Sequence, residues 1–236
     1  MTAPFEAIDE SVVVGGKLAS IRWRRSARAR RVALKIDPRL GAVVITLPPK
    51  SSRRAGLALL RGHEKWVAER LAALPDSMMI TAGGMIPVFG KTHLIIIDPK
   101  HRGTAVIANS QIRVSGQPEF LARRVRDALQ SLACERFRVS AAVKANLIAA
   151  VLRRVRVKDT TSRWGSCTAD GTLMFSWRLV MAPDFVQDYV IAHEVAHLRH
   201  MNHGPAFWAL TDSLTPHRSA ATAWLHDYGP GLLRVG

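Results

Sequence analysis

The chain of 236 residues has little cysteine, a shortage of acidic residues and no long apolar segment. Its two cysteines, Cys134 and Cys167, could form at most one disulfide, which is typical of a reduced compartment. The first 20 residues lack the basic segment and apolar core of a signal peptide, and no other stretch approaches the roughly 20 apolar residues that cross a bilayer. With only 16 Gly and 12 Pro, the composition also excludes a fibrous or low-complexity protein. We therefore expect a folded, cytoplasmic protein that does not interact with membranes.

The charge is strongly positive, because 34 Lys and Arg face 18 Asp and Glu, which gives a net charge of +16. Arginine is concentrated in residues 22–31, where six of the ten residues are Arg. A field of this sign attracts phosphate groups, so nucleic acid or a nucleotide is a candidate partner of this Arg-rich surface. A solvated basic face without a partner is the alternative interpretation. The composition leaves the oligomeric state open.

A change of pattern near residue 118 divides the chain. Before it, short β-like runs alternate with turn residues, and the pattern predicts a hairpin of residues 31–36 and 42–47 and a helix, capped by Ser51 or Ser52, that runs to about residue 74. Further strands are predicted at residues 86–89, 93–97, 105–108 and 111–114. We predict an α+β protein with an N-terminal extension at residues 1–19, a β-rich module at residues 20–117 and a third part at residues 118–236.

The third part begins with a helical apolar rhythm over residues 119–152, with a break predicted near Ser140. A strand at residues 154–158, an irregular polar segment at 159–171 and a strand at 173–180 follow. Pro183 and Asp184 then start a helix. This last helix carries the residues that indicate chemistry.

His193, Glu194 and His197 form the pattern His-Glu-x-x-His on that helix. Residues four apart lie on the same face of a helix, one turn apart, so the two imidazoles can bind one metal ion. Three imidazoles would favour zinc over magnesium or calcium. A carboxylate beside such an ion can act as a general base, and we assign that role to Glu194.

A catalytic zinc usually needs a third protein ligand, and His200 and His203 are the candidates. His200 continues the ridge of His193 and His197, and three collinear groups cannot surround an ion tetrahedrally. Asn202 and the following Gly-Pro pair predict that the helix ends there and that the chain turns back over the metal. We therefore predict His203 as the third ligand and leave His200 as a surface or supporting residue.

Several further motifs accompany this helix and make the sequence similar to a known family. They are residues 163–167 (RWGSC), 175–179 (FSWRL), 182–183 (AP), 188–190 (DYV), 193–197 (HEVAH) and 202–208 (NHGPAFW). On these motifs the chain resembles the YgjP-like predicted metallopeptidases, which are distant relatives of the SprT-like and Wss1-like zinc proteases. The resemblance covers about residues 20–230, and Ser176 stands where the family often has Asn.

The resemblance implies a zincin-like, minigluzincin-like catalytic half. It also implies zinc bound by His193, His197 and His203, with Glu194 as general base. The strand at residues 173–180 would then be the sheet edge beside the cleft, where an extended peptide could pair. Phe207 and Trp208 are expected to pack the following helix against the metal-binding helix.

The segment around residues 163–178 suggests further contacts in the cleft. Arg163 or Arg178 could stabilise a developing oxyanion, although pairing of these arginines with acidic groups is the stronger expectation. Trp164 is expected to pack against the cleft wall. Cys167 is predicted to be a small packing residue, and Tyr189 is predicted to belong to the core.

We predict a cytoplasmic zinc-dependent metal hydrolase, most simply a metallopeptidase that acts on a peptide or protein substrate. One alternative is a metal-dependent pyrophosphohydrolase of nucleoside triphosphates, attracted by the basic surface. A second alternative is a nucleic-acid-binding protein in which the zinc site is structural. The sequence does not identify the substrate.

Overall fold

The computed structural model describes residues 9–100, 103–160 and 163–236. The chain forms two compact units, which meet in sequence between Asp76 and Ser77. Of the described helices, none combines the length and apolar character that are needed to traverse a bilayer.

The first unit contains a four-stranded sheet with the order β1-β2-β4-β3. Its strands are β1 (Asp9–Val14), β2 (Lys17–Arg25), β3 (Ala33–Asp37) and β4 (Ala42–Leu47). β2 and β4 are parallel, and the other pairs are antiparallel, including the predicted hairpin of β3 and β4, which is confirmed. Residues 9–19, predicted to belong to an N-terminal extension, form β1 and the start of β2, because the β-branched run Val12–Val14 favours a strand and the Gly15–Gly16 turn, with positive φ at both residues, joins the two strands.

Two helices cover this sheet where one was predicted: α1 (Arg53–Gly62) and α2 (Glu64–Ala72). Of the two predicted caps, Ser52 is the one that caps α1, since its hydroxyl accepts a hydrogen bond from the Ala55 amide at 3.3 Å. The helix is interrupted at His63, whose φ of −122° is not helical. Gly56 lets α1 approach the sheet, because a Cβ there would lie 2.6 Å from the Trp23 ring.

The second unit begins with another four-stranded sheet, in the order β5-β6-β8-β7. Its strands, all close to the predicted positions, are β5 (Met85–Val88), β6 (Lys91–Ile97), β7 (Val106–Ala108) and β8 (Gln111–Val114). Their buried side chains share one apolar core with the long helix α3 (Leu121–Leu147). The boundary predicted near residue 118 therefore falls inside this unit.

The break predicted near Ser140 in the long helix is wrong, because α3 is continuous over 27 residues. A stripe of fully buried residues runs along it at intervals of four and passes through Phe137 and Ala141 to Ala145. Packing on both sides of Ser140 holds the helix straight through that position.

A three-stranded sheet follows, with the order β10-β11-β9. Its strands are β9 (Arg154–Lys158), β10 (Gly165–Cys167) and β11 (Thr172–Ser176). The segment predicted to be irregular thus contains β10, and the strand predicted at 173–180 ends at Ser176, where a short 3-10 helix (Trp177–Met181) begins. β11 is the middle strand, because it pairs with β9 on one side and β10 on the other. The prediction that it forms a sheet edge is therefore wrong.

Three helices complete the second unit: α4 (Asp184–Ala196), α5 (Pro205–Leu214) and α6 (Arg218–Leu233). α4 starts after Pro183 as predicted and packs against α3, α5 and α6. Lys144 of α3 ties these elements together, since its ammonium lies 2.7 Å from the Asp188 carboxylate and donates to the Leu214 carbonyl at 2.7 Å. The protein is thus of mixed α+β class, with a β-rich N-terminal part and helices after it, as predicted.

Candidate metal centre

The C-terminal end of α4 brings the first two candidate ligands together. His193 lies in the last turn and His197 directly follows the helix, with 5.1 Å between their ring centroids. α4 ends at Ala196, six residues before the predicted end near Asn202, and the His200 amide still donates to the Ala196 carbonyl at 3.0 Å. The chain therefore reverses between residues 197 and 203.

This reversal places His203 over the pair. The Nε2 atoms of His203 and His193 are 3.1 Å apart, and the ligand atoms of His193, His197 and His203 all lie within 4.8 Å of one another. Nitrogen atoms around a tetrahedral zinc, bonded at about 2.05 Å, are separated by about 3.3 Å. The donor set and its spacing therefore fit one divalent ion.

His200 takes part through its backbone and not through its imidazole. Its carbonyl oxygen lies 2.9 Å from Nδ1 of His197. A hydrogen bond from Nδ1 to a carbonyl fixes the tautomer in which Nδ1 carries the proton and Nε2 has the lone pair that can bind a metal. Metal-binding histidines are usually supported by a hydrogen bond of this kind. The expectation of a supporting role for His200 agrees with this contact.

The surroundings of His193 and His197 keep these two imidazoles neutral. Burial, together with the neighbouring His197 and His203, lowers the pKa of His193 to about 4. Burial also lowers the pKa of His197. Because only the neutral ring can coordinate a metal, these two residues are in the ligand form at neutral pH.

Aromatic residues of α5 and α4 pack against the histidines. The buried Phe207 ring lies 4.9, 4.5 and 4.6 Å from the ring centroids of His193, His197 and His203. Trp208 adds a contact of 5.6 Å with His203, and Phe207 contacts His193 of α4, so the expected packing of the start of α5 on α4 is present. The half-buried Tyr189 lies 5.9 Å from the His193 ring. These aromatic contacts restrict rotation of the imidazole rings.

Glu194, between the two histidines of α4, is only 5% exposed. Burial raises the pKa of its carboxyl group to about 8, and the positive charge of Arg163 opposes the rise. β10 packs directly against its side chain, since a Cβ on Gly165 would lie 2.5 Å from Oε1 of Glu194. A carboxyl group with a pKa near neutrality can both accept and donate a proton.

Cys167, also on β10, is near this carboxylate. Burial, followed by the charges of Glu194 and Asp170, raises the pKa of the thiol to about 11. The thiol is therefore not ionised at neutral pH and is a poor nucleophile. Its half-buried position agrees with the packing role that was expected of it.

The predicted cleft residues separate into two groups. Arg163 is exposed and acts electrostatically on Glu194, and the half-buried Trp164 packs near Gly229, where a Cβ would lie 3.2 Å from its ring. Arg178 is 1% exposed, forms an ion pair with Asp159, donates to the Val235 carbonyl at 3.1 Å and lies over the Trp177 ring. Its guanidinium is thus held by structural partners.

Sequence reasoning missed two contributors, the His200 carbonyl and Gly165. Both act through the backbone, the first by accepting a hydrogen bond and the second by lacking a side chain. The motif at residues 163–167 did draw attention to the segment of Gly165, but only the packing of β10 on α4 shows what the glycine contacts.

Comparison with known proteins adds one match. The family model described as YgjP-like, metallopeptidase domain, matches residues 30–228, which include every residue of the centre. No curated protein and no solved structure shows a significant match to the chain.

Proposed function

The chain belongs to the YgjP-like metallopeptidase family, and from that premise we propose that it is a zinc-dependent peptidase with a zincin-like catalytic half. His193, His197 and His203 hold the ion, and Glu194 is the general base. The observation that carries the proposal is the convergence of three imidazoles, together with the buried carboxyl group of Glu194, which directly follows the ligand His193 in α4. Three neutral nitrogen donors favour zinc over the oxygen-seeking magnesium and calcium.

A zinc ion in such a site polarises a carbonyl group and lowers the pKa of a bound water molecule. Glu194 accepts a proton from the attacking water as the new carbon–oxygen bond forms. It then returns this proton to the amine nitrogen when the carbon–nitrogen bond breaks. The pKa of about 8 for this carboxyl group suits both transfers.

Arg163 is a cation close enough to act electrostatically on Glu194. Its charge keeps a fraction of Glu194 ionised, and its exposed guanidinium can approach an oxyanion at the mouth of the site. Arg178, the other predicted candidate, is held by Asp159 and Val235. We therefore assign the transition-state contact to Arg163.

An extended peptide substrate would bind along β10. Among the described residues β10 pairs only with β11, so its other edge has backbone groups available for a further strand. β10 also packs against Glu194, which would place the backbone of a paired peptide beside the catalytic carboxylate.

The experiment that tests the proposal compares wild type with Glu194→Gln, both loaded with zinc, on a fluorescein-labelled unfolded casein. Since general-base catalysis contributes about 100- to 10,000-fold, the variant should lose that factor while its zinc content stays unchanged. Glu69→Gln, an exposed residue of α2, is the matched control and should retain full activity. Unchanged proteolysis in Glu194→Gln would contradict the proposal.

The same two proteins address the nucleotide alternative. Release of pyrophosphate from nucleoside triphosphates by wild type but not by Glu194→Gln, without any cleavage of casein, would assign the site to phosphoanhydride hydrolysis. The positive charge of the protein is the observation that favours this second candidate.

Nucleic acid remains a candidate partner of the first unit. Arg28, Arg30 and Arg31, in the loop between β2 and β3, are exposed, and within the described part of the chain no acidic group pairs with them. Arg25 holds the start of this loop by donating to the Ser51 carbonyl at 3.2 Å. The loop therefore presents several cationic side chains, and its start is anchored by Arg25. Nucleic acids bind to such groups of cations through their phosphates.

A further inference from the structure

Gly165 is in unusually close contact with the catalytic carboxyl group. A Cβ on this residue would lie 2.5 Å from both Cγ and Oε1 of Glu194 and 2.7 Å from its Cδ. Carbon atoms in contact are normally about 3.5 to 4.0 Å apart. The φ of Gly165 lies outside the left-handed region, so the backbone itself would accept an L-residue. Glycine is required at this position by the lack of space beside Glu194 and not by the backbone conformation.

Strand β10 cannot easily move away from Glu194. Gly165 is opposite Phe175 in the β10–β11 ladder, and the Trp164 carbonyl accepts a hydrogen bond from the Ser176 amide at 2.8 Å. Both Phe175 and Ser176 are fully buried. On the other side, the Trp164 ring packs near Gly229 of α6. The position of Gly165 is thus fixed by the sheet behind it.

The backbone of Glu194 is equally constrained. Its neighbours in α4, Ala192, Val195 and Ala196, are fully buried, and the helix packs against α3, α5 and α6. Because both backbones are held, a methyl group at position 165 can be accommodated most easily by rotation of the Glu194 side chain. Such a rotation would carry the carboxylate away from the position that it occupies against β10.

We infer that Gly165 is a positioning residue. Because it has no Cβ, the Glu194 side chain packs directly against its Cα, and this contact holds the carboxylate in the position for proton transfer. This inference rests on the proposed function of Glu194, but the contact itself can be tested without any assay of activity. Residues 163–165 therefore act on Glu194 in two ways, electrostatically through Arg163 and by direct packing through Gly165.

Gly165→Ala is the direct test, with Gly62→Ala as its control, because a Cβ on Gly62 would have no neighbour within 4 Å. In the zinc-loaded protein with labelled casein, Gly165→Ala should lower kcat by roughly 10- to 100-fold and leave KM nearly unchanged, since a displacement of about 1 Å in a catalytic group has effects of this size. Zinc content should stay at the wild-type level, because the three histidines are untouched.

A double-mutant comparison tests the contact independently. Gly165→Ala should lower the thermal midpoint of the metal-free protein in the wild-type background and should not lower it in a Glu194→Ala background, where the three clashing atoms are absent. Gly62→Ala should have the same effect in both backgrounds.

The outcomes separate the two claims. The positioning role would be overturned if Gly165→Ala lowered the thermal midpoint equally in the wild-type and Glu194→Ala backgrounds, or if it left kcat unchanged. Either result would leave the peptidase proposal intact. If wild type cleaves neither casein nor nucleotides, the proposed function fails, and the dependence of the midpoint shift on Glu194 still decides whether Gly165 holds that side chain.

Discussion

At the scale of single residues, the centre contains neighbours whose pKa values shift in opposite directions for the same reason. Burial disfavours the charged form of any group, so it raises the pKa of Glu194 to about 8 and lowers that of His193 to about 4. Without a metal ion, both residues are therefore mainly neutral at pH 7. A bound cation would favour the charged form of the carboxyl group of Glu194, whereas His193 would stay neutral.

Proton release on zinc binding follows from these shifts. At pH 7, below the pKa of about 8, Glu194 of the metal-free protein carries a proton, which a nearby divalent ion should expel. His193, with a pKa of about 4, has none to lose. We expect Glu194→Gln to release about one proton fewer than wild type, measured by calorimetry in buffers of different ionisation enthalpy. Equal release from both proteins would show that Glu194 is already ionised.

Arg163 should shift the pH dependence of activity. Its charge lowers the pKa of Glu194, so its removal in Arg163→Ala should raise that pKa further. The base is active when ionised, and the acidic limb of the profile of kcat against pH should therefore move to higher pH. Arg163→Lys should retain most of the wild-type profile, and Arg154→Ala, on exposed β9, is the control for a lost charge elsewhere. A profile that is the same in Arg163→Ala and wild type would refute the contact.

At the scale of elements, the centre depends on how α4 and α5 meet. The sequence predicted where α4 starts and that His203 joins His193 and His197. It did not predict that α4 ends already at Ala196, because residues 197–201 contain no Gly, Pro or Asn that would signal a stop there. Likewise, the prediction that β11 forms the edge of its sheet fails because β10 is too short to be recognised from three residues.

Phe207 is the contact of α5 that should matter most. Its ring is fully buried against all three histidines, so Phe207→Ala should cost about 3 to 5 kcal/mol of unfolding free energy in the metal-free protein. With the rings less confined, zinc affinity should also fall roughly 10-fold. Phe120→Ala, at a ring that is 41% exposed, should cost less than about 1 kcal/mol and leave zinc affinity unchanged. Urea unfolding and chelator competition measure the two quantities, and similar effects from both variants would contradict this role of α5.

At the scale of the whole molecule, local patterns predicted most elements and long-range packing determined the rest. Alternating and helical apolar periodicities located the hairpin of β3 and β4, strands β5 to β9 and helix α4. The break near Ser140 was wrongly predicted because a polar residue interrupts the apolar pattern of the sequence there. In the helix, the buried stripe continues past this residue through Phe137 and Ala141. The contact of Gly165 with Glu194 joins distant parts of the chain, and no local pattern encodes it.

The excess of positive charge leads to a prediction about binding. If the loop between β2 and β3 contacts phosphates, affinity for a fluorescein-labelled single-stranded oligothymidylate should fall steeply with salt. Replacing Arg28, Arg30 and Arg31 together by Ala should reduce the slope of log K against log salt by about 2.

The control for this binding experiment is a triple Ala variant of three exposed arginines of the second unit, Arg138, Arg154 and Arg156. It removes the same net charge and should leave the slope unchanged. Equal slopes in both triple variants would mean that only the overall charge acts, and a lack of any binding by wild type would exclude the partner.

Zinc binding by two matched histidine variants tests the central claim most directly. His203→Ala removes a proposed ligand, whereas His200→Ala removes an imidazole and keeps the carbonyl that accepts from His197. In a chelator competition, His203→Ala should lose more than about 100-fold in zinc affinity, since loss of an outer partner alone costs about 10- to 100-fold, and His200→Ala should bind like wild type. If instead His200→Ala loses zinc while His203→Ala keeps it, or if wild type binds no zinc at all, the three-histidine centre described above is wrong.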